Sequence, residues 1–316
     1  MQTLFGTQDA SLGNLGKVGR SMRALSRALS GEAGPQPVRP RRLKLGVALG
    51  GGFARGLVHI GVLKALEDAG IAVDFVAGTS VGALIGAAYC AGVSAQELKE
   101  IAHVTRFKHF ARWTLSRYGF CSNDRMQEYC ARILKVTTFE ELKIPLAIIA
   151  TDFQTGEPAV FDKGTLVGPI RASCAYPGMF LPVEIDGRQY IDGMLAYAVP
   201  TTPLRAMGAD RVLGIYLSAH WTQRQPRHLF EVIGQCFSIA QDKMCGLWKK
   251  DADQVLEPDV SGFWYNAFDR APELVEIGEQ SARAIVPELQ TLLNLDPQVE
   301  TVASVLTDAG VTVPAA

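Results

Sequence analysis

Apolar positions divide the chain into short buried runs and longer helical stripes that alternate along most of its length. Residues 43–49 form an almost unbroken apolar run, read as a strand buried on both faces. Gly50, Gly51 and Gly52 follow as a tight loop. Residues 54–69 then carry Leu57, Ile60, Leu63 and Leu66 at helical spacing, with Gly70 as the stop. A second strand is expected over residues 73–77. A sharp turn, Gly78-Thr79-Ser80-Val81-Gly82, leads into the small-residue helix that begins at Ala83. Further helices are expected over residues 95–104, 124–134, 230–249 and 273–293. Buried strands are expected over 146–150 and 211–217. Short antiparallel pieces are expected over 157–161 and 183–191, the latter around the hairpin signal Asp186-Gly187. Strand, loop, helix, strand, turn, helix in that order implies parallel pairing with right-handed crossovers, hence an α/β fold. No internal repeat interrupts the pattern.

Residues 1–42 follow a different pattern. Leu12, Leu15, Val18, Met22, Leu25 and Leu29 recur at spacings of three and four, with Lys17, Arg20, Arg23 and Arg27 mostly off that stripe. This reads as a basic amphipathic helix suited to a membrane surface or a partner. Gly13, Gly16 and Gly19 equally suit an unstructured leader with accidental periodicity. Residues 31–40, with three prolines and two glycines, read as a linker. The expected division is therefore a basic segment and linker over 1–42, a catalytic domain over 43–293 and a tail over 294–316.

Charge sharpens that division. The chain has 316 residues, 48% of them apolar, and a net charge of −1. Residues 1–44 hold eight Lys/Arg against Asp9 and Glu32, a net of +6, which leaves 23 against 30 in the remainder. The balance gives no reason to expect a nucleic-acid partner. The six cysteines have neither C-x-x-C nor zinc spacing and read as reduced thiols, several of them core fillers. No apolar run is long enough to cross a bilayer, and the N-terminus lacks the build of a secretory signal. A cytoplasmic protein, peripheral at the inner membrane surface if residues 1–42 bind there, is the expectation. The pattern implies no metal and no organic cofactor, and leaves the oligomeric state open.

Candidate chemistry centres on Ser80. A serine on a sharp strand-to-helix turn exposes its hydroxyl at a helix N-terminus, where the dipole favours a developing negative charge. Gly50 to Gly56 also follows a strand and opens a helix. Its N–H groups suit an anion-binding nest to which Arg55 adds a charge. The loop lacks the G-x-G-x-x-G register and the G-K-[ST] of nucleotide sites, so it reads more readily as an oxyanion site. A base is harder to find. His59 reads as a packed or capping residue, and His103, His109, His220 and His228 sit in polar stretches without a motif. Asp192, at the end of an apolar strand and followed by Gly193, reads as a base or as an ordinary Asp-Gly turn.

Val47 to Gly92 resembles the bacterial patatin-like phospholipases, the group that includes the neuropathy-target-esterase catalytic domain. The likeness is carried by Gly50-Gly51-Gly52-Phe53-Ala54-Arg55-Gly56, by residues 59–66, and by Gly78-Thr79-Ser80-Val81-Gly82-Ala83. Further matches are Ala150-Thr151-Asp152 with Thr155-Gly156-Glu157, then Arg171-Ala172-Ser173 with residues 177–182, and finally Asp192-Gly193. The resemblance implies a three-layer α/β/α sandwich with a mainly parallel sheet. It implies Ser80 as nucleophile, Asp192 as base in a Ser-Asp dyad, and the loop of Gly50, Gly51, Gly52 and Arg55 as oxyanion hole. It also implies lysophospholipid or phospholipid substrates. An ordinary aspartate, with a pKa of about 3.9, needs burial to become an adequate base. The alternatives are an esterase for another lipid or a storage polyester, or a regulator that keeps the fold without useful turnover. Three positions depart from the family pattern. Met194 follows Asp192-Gly193 where glycine or alanine is usual, Tyr197-Ala198 replace an expected asparagine, and Phe53 replaces a small residue. All three bear on substrate range.

Overall fold

A computed structural model of the chain describes residues 42–218, 225–226 and 229–294. The basic segment, the C-terminal tail, His220 and His228 lie outside the described residues. The described chain is organised around an eight-stranded, mainly parallel sheet with helices packed on both of its faces.

The sheet order begins with β11 (Gln254–Leu256), β10 (Arg211–Ile215), β1 (Leu45–Leu49), β2 (Phe75–Thr79) and β5 (Leu146–Asp152), all parallel. β9 (Arg188–Asp192) pairs antiparallel with β5 past the end of β2, β8 (Val183–Ile185) pairs antiparallel with β9, and β6 (Pro158–Phe161) pairs antiparallel with β5. A separate three-stranded sheet joins β3 (Arg112–Ser116), β4 (Gly119–Ser122) and β7 (Gly178–Phe180).

Side-chain alternation on β1 shows how the two layers are specified. Leu45, Val47 and Leu49 point into the larger core, shared with α1 (Val58–Asp68), α2 (Val81–Cys90), α3 (Ala95–Val104) and α8 (Ala271–Asn294). Ala48 points into the smaller core, with Ala77, Ala147, Leu204 and Trp248. The second face is lined with small residues, so α6 (Thr201–Ala206) sits close on it. A Cβ built on Gly46 would lie 3.2 Å from Leu204 Cβ. The remaining helices are α4 (Arg125–Ile133), α5 (Val167–Ser173) and α7 (Leu229–Lys249). No helix among the described residues is long and apolar enough to cross a membrane.

Boundaries depart from the sequence reading in physically clear ways. The helix expected from residue 54 begins as a tight 3-10 turn, Phe53–Leu57, because Phe53 enters it at a positive φ of 50°. β2 starts two residues later than expected and runs through Gly78 and Thr79 to the serine turn. The Asp186-Gly187 hairpin forms as expected, both residues having positive φ, as a type I′ turn requires.

Candidate active site

The site is set by two strand ends that meet along one edge of β5. β2 runs parallel to β5 and ends with Thr79 opposite Ile149. β9 runs antiparallel to β5 and ends with Asp192 opposite Ala150. β6 occupies the other edge of β5 at both places, so β2 and β9 share one edge and approach it from opposite directions. Ser80 and Asp192, 112 residues apart in sequence, are thereby brought together.

Ser80 Oγ donates a hydrogen bond of 2.8 Å to Asp192 Oδ2. Ser80 has φ 56°, a strained conformation for a residue with a side chain, and it caps α2. Its N–H donates to Ser173 Oγ at 2.7 Å, and its carbonyl accepts from Ala83 N at 2.9 Å. The tight turn leaves no room for side chains on its glycines. A Cβ on Gly82 would lie 2.2 Å from the Leu49 carbonyl oxygen, and one on Gly78 would lie 2.5 Å from that of Gly82.

Asp192 is fully buried. Its N–H donates to the Ala175 carbonyl at 3.0 Å, and its carbonyl accepts from Thr151 Oγ1 at 2.8 Å. Oδ1 accepts from Met194 N at 3.0 Å. Burial pushes the carboxyl up to about 7, against the opposing pull of the Met194 N–H and the Ser80 hydroxyl. Among the described residues no cation pairs with it. A hydroxyl bonded to a carboxylate of near-neutral pKa can lose its proton to that carboxylate as it attacks an electrophile.

The glycine loop passes beside this pair, so that a Cβ on Gly51 would lie 3.5 Å from Ser80 Cβ. Two of its donors are already engaged: Gly50 N–H donates to the Ile215 carbonyl at 3.2 Å, and Gly51 N–H to that of Ala198 at 3.3 Å. Among the described residues, the N–H groups of Gly52 and Phe53 have no protein acceptor. Arg55 is buried behind the loop. Burial lowers its pKa to about 10, with Tyr176 and Tyr216 raising it, so the guanidinium stays charged at neutral pH.

Among the described residues, no histidine contacts Ser80 or Asp192. His59 is fully buried, and its Nε2–H donates to the Gly50 carbonyl at 2.8 Å. Burial pushes its pKa down to about 4, so a neutral ring buttresses the loop. His103 is exposed, and His109 Nδ1 accepts from Arg106 N. No group of three or more His, Cys, Asp or Glu among the described residues could hold a metal ion.

Ser80 lies where two cavities meet. One is apolar and runs between α2, α3 and α4, with Leu84, Ala88, Leu98, Ala102 and Ile133 in its walls. The other is more polar and lies under α7, with Arg55, Tyr176, Ser238 and Gln241 in its walls. Phe53 lines both, fixed by edge-on contacts with Tyr176 and Tyr265 at 5.0 and 5.8 Å. Met194 lines the second. Both side chains that depart from the family pattern at these positions therefore shape the space around Ser80. Ser173 and Thr151 stood in the quoted motifs without an assigned role. Their hydroxyls hold the backbones of Ser80 and Asp192, a function that spacing alone gave no means of reading.

A family model for patatin-like phospholipase matches residues 47–205. Over 181 residues the chain is 33% identical to an uncharacterized NTE family protein of Mycobacterium tuberculosis, covering 55% of this chain and 49% of that protein. It is 33% identical over 179 residues to patatin-like phospholipase domain-containing protein 6 of Homo sapiens, covering 54% of this chain and 13% of that one. It is 30% identical over 184 residues to lysophospholipase NTE1 of Mycosarcoma maydis, covering 55% and 10%. The match thus spans about half the length of the mycobacterial relative and a small part of the other two.

Proposed function

The chain belongs to the patatin-like phospholipase family, and from that membership we propose that it hydrolyses acyl esters of lysophospholipids or phospholipids, with Ser80 as nucleophile and Asp192 as base. The observation that carries this reading is the 2.8 Å hydrogen bond from Ser80 Oγ to a fully buried carboxylate whose pKa lies near neutrality.

In this reading Ser80 Oγ attacks the ester carbonyl as its proton passes to Asp192 Oδ2. The tetrahedral oxyanion is met by the glycine loop. Within Gly50, Gly51 and Gly52, the available donor is Gly52 N–H, with Phe53 N–H beside it; Gly50 and Gly51 set the path of the loop. Arg55 and the N-terminus of α2 supply positive potential. The bond to the leaving alcohol breaks, and Asp192 returns the proton to that oxygen. Asp192 then takes a proton from water, which attacks the Ser80 acyl ester; the acyl–Oγ bond breaks, the fatty acid leaves, and Asp192 returns the proton to Ser80 Oγ. The apolar cavity suits the acyl chain and the more polar one suits the leaving glycerol and its head group.

We assign this chemistry to a domain over residues 43–293, with residues 1–42 as a peripheral membrane contact, on the strength of their net charge and apolar stripe. The test of the reaction is turnover of a soluble short-chain chromogenic ester. Ser80→Ala and Asp192→Asn should each lose at least about 1,000-fold, with the double variant little worse than either single one, because such groups act as a unit. Turnover retained in purified, folded Ser80→Ala would overturn the reading.

A further inference from the structure

One face of the described residues is both basic and apolar. Residues 106–125 hold Arg106, Lys108, Arg112, Arg117 and Arg125 against a single acid, Asp124, in a chain whose net charge is −1. Asp124 is itself paired with Arg112 at 3.3 Å and Arg171 at 2.6 Å. Large rings stand out among these charges on the β3–β4 hairpin. Trp113 is 74% exposed, Tyr118 50% and Phe120 43%. The Arg117 guanidinium lies over the Tyr118 ring, 4.7 Å from its centroid.

This hairpin rims the way to Ser80. Trp113 and Arg106 line a third, open cavity of about 920 Å³ whose other walls include Phe53 and Phe268. Both of those rings also line the apolar cavity at Ser80. The hairpin is tied to the site from behind, because β4 pairs with β7 and Phe180 of β7 lines the same apolar cavity.

We infer that the β3–β4 hairpin and its basic flanks dock on an anionic phospholipid bilayer, turning the cavity mouth toward the lipid. The inference rests on the lipid-hydrolase reading for its purpose, and on the surface itself for its geometry. Tryptophan and tyrosine settle at the depth of the head groups, where each ring has one apolar side and one wet side. Arginine and lysine around them meet the lipid phosphates and the negative surface potential. A second copy of the chain adding a strand here is disfavoured: β3 is an edge strand with an irregularity between Trp113 and Ser116 and arginines at both ends of the hairpin.

Vesicles of phosphatidylglycerol with brominated acyl chains test this, with tryptophan emission as the readout. The full-length chain carries Ser80→Ala, so that no hydrolysis alters the vesicles. Vesicles should quench the emission, and Trp113→Phe should remove most of that quenching. Arg112→Glu with Arg117→Glu should raise the lipid concentration needed by about tenfold or more, and salt at about 0.5 M should reverse the binding. With Ser80 restored, Arg117→Glu with Tyr118→Ser should keep soluble-ester turnover within about twofold, as a sign of an intact fold. The same variant should lose turnover of vesicle-borne substrate. Failure of the hydrolase reading would appear as absent soluble-ester turnover with the quenching intact. The docking inference is overturned if Trp113→Phe leaves the quenching unchanged. It is equally overturned if the protein sediments with vesicles while Trp113 stays unquenched, which would put the contact elsewhere, such as residues 1–42. A concentration-dependent change in Trp113 emission without vesicles, together with a dimer mass, would assign the surface to a second copy instead.

Discussion

Asp192 divides its carboxylate between a local turn and a distant serine. Its Oδ1 accepts from Met194 N and starts the turn after β9, as an Asp-Gly pair commonly does, while Oδ2 accepts from Ser80. The turn was legible from the dipeptide; the contact with Ser80 was not legible from local pattern, because the partner is 112 residues away. Burial raises the carboxyl from its ordinary value to about 7, and two consequences follow. Turnover of a soluble ester should rise with pH through about 7, since only the ionised carboxylate takes the serine proton. Stability should move the other way. A carboxyl with a higher pKa folded than unfolded binds more protons in the folded state, so its contribution is complete below about 4 and is lost as pH rises through about 7. Asp192→Asn removes that dependence. Relative to the parent, the variant should therefore gain on the order of 3 kcal/mol between pH 4 and pH 8, read from urea unfolding. An unchanged difference across that range would show that Asp192 titrates normally.

At the scale of elements, the serine turn depends on how closely α2 and β1 approach. The strand, turn and helix were legible because glycines flank a serine between two apolar runs. The closeness was not, because it depends on β1, 30 residues earlier in the chain. Alanine in place of glycine ordinarily strengthens a helix by up to about 1 kcal/mol. At Gly82 the added Cβ would stand 2.2 Å from the Leu49 carbonyl oxygen, so backbone must move. Gly82→Ala should destabilise by about 1–3 kcal/mol or more. It should also lower ester turnover more than the unfolded fraction accounts for, because Gly50 to Gly52 would shift with Leu49. Thermal unfolding beside turnover at low temperature separates the two effects. A stabilised, fully active variant would contradict the packing described. Two of the elements that sequence reading missed have weak local signals. The β3–β4 hairpin turns through Arg117 and Tyr118, neither of them a customary turn residue, and α5 is only seven residues long with Pro169 inside it.

The described residues form an α/β sandwich whose sheet brings a parallel and an antiparallel strand to one edge of β5. The order of strand, loop, helix, strand, turn and helix made the α/β class legible, and the family resemblance implied the layers. The meeting of β2 and β9 was not legible, because pairing partners are set by register rather than by local pattern. In the proposed reaction, the apolar cavity between α2, α3 and α4 limits the length of the acyl chain. Ala102, nearly buried, lies in its wall on α3. Ala102→Phe should reduce turnover of long-chain acyl esters by about tenfold while leaving butyrate esters within about twofold, since filling space in an apolar pocket discriminates by about 1–3 kcal/mol. Equal losses on both chain lengths would place the acyl group elsewhere.

The central claim is that Ser80 is a nucleophile activated by Asp192. The most direct measurement is covalent labelling of the full-length protein with a fluorophosphonate, followed by peptide mass spectrometry. One phosphonylated residue, Ser80, is expected, with no label on Ser80→Ala and labelling slowed at least about 100-fold in Asp192→Asn. A folded parent protein that stays unlabelled, or that carries the label on another residue, would contradict it.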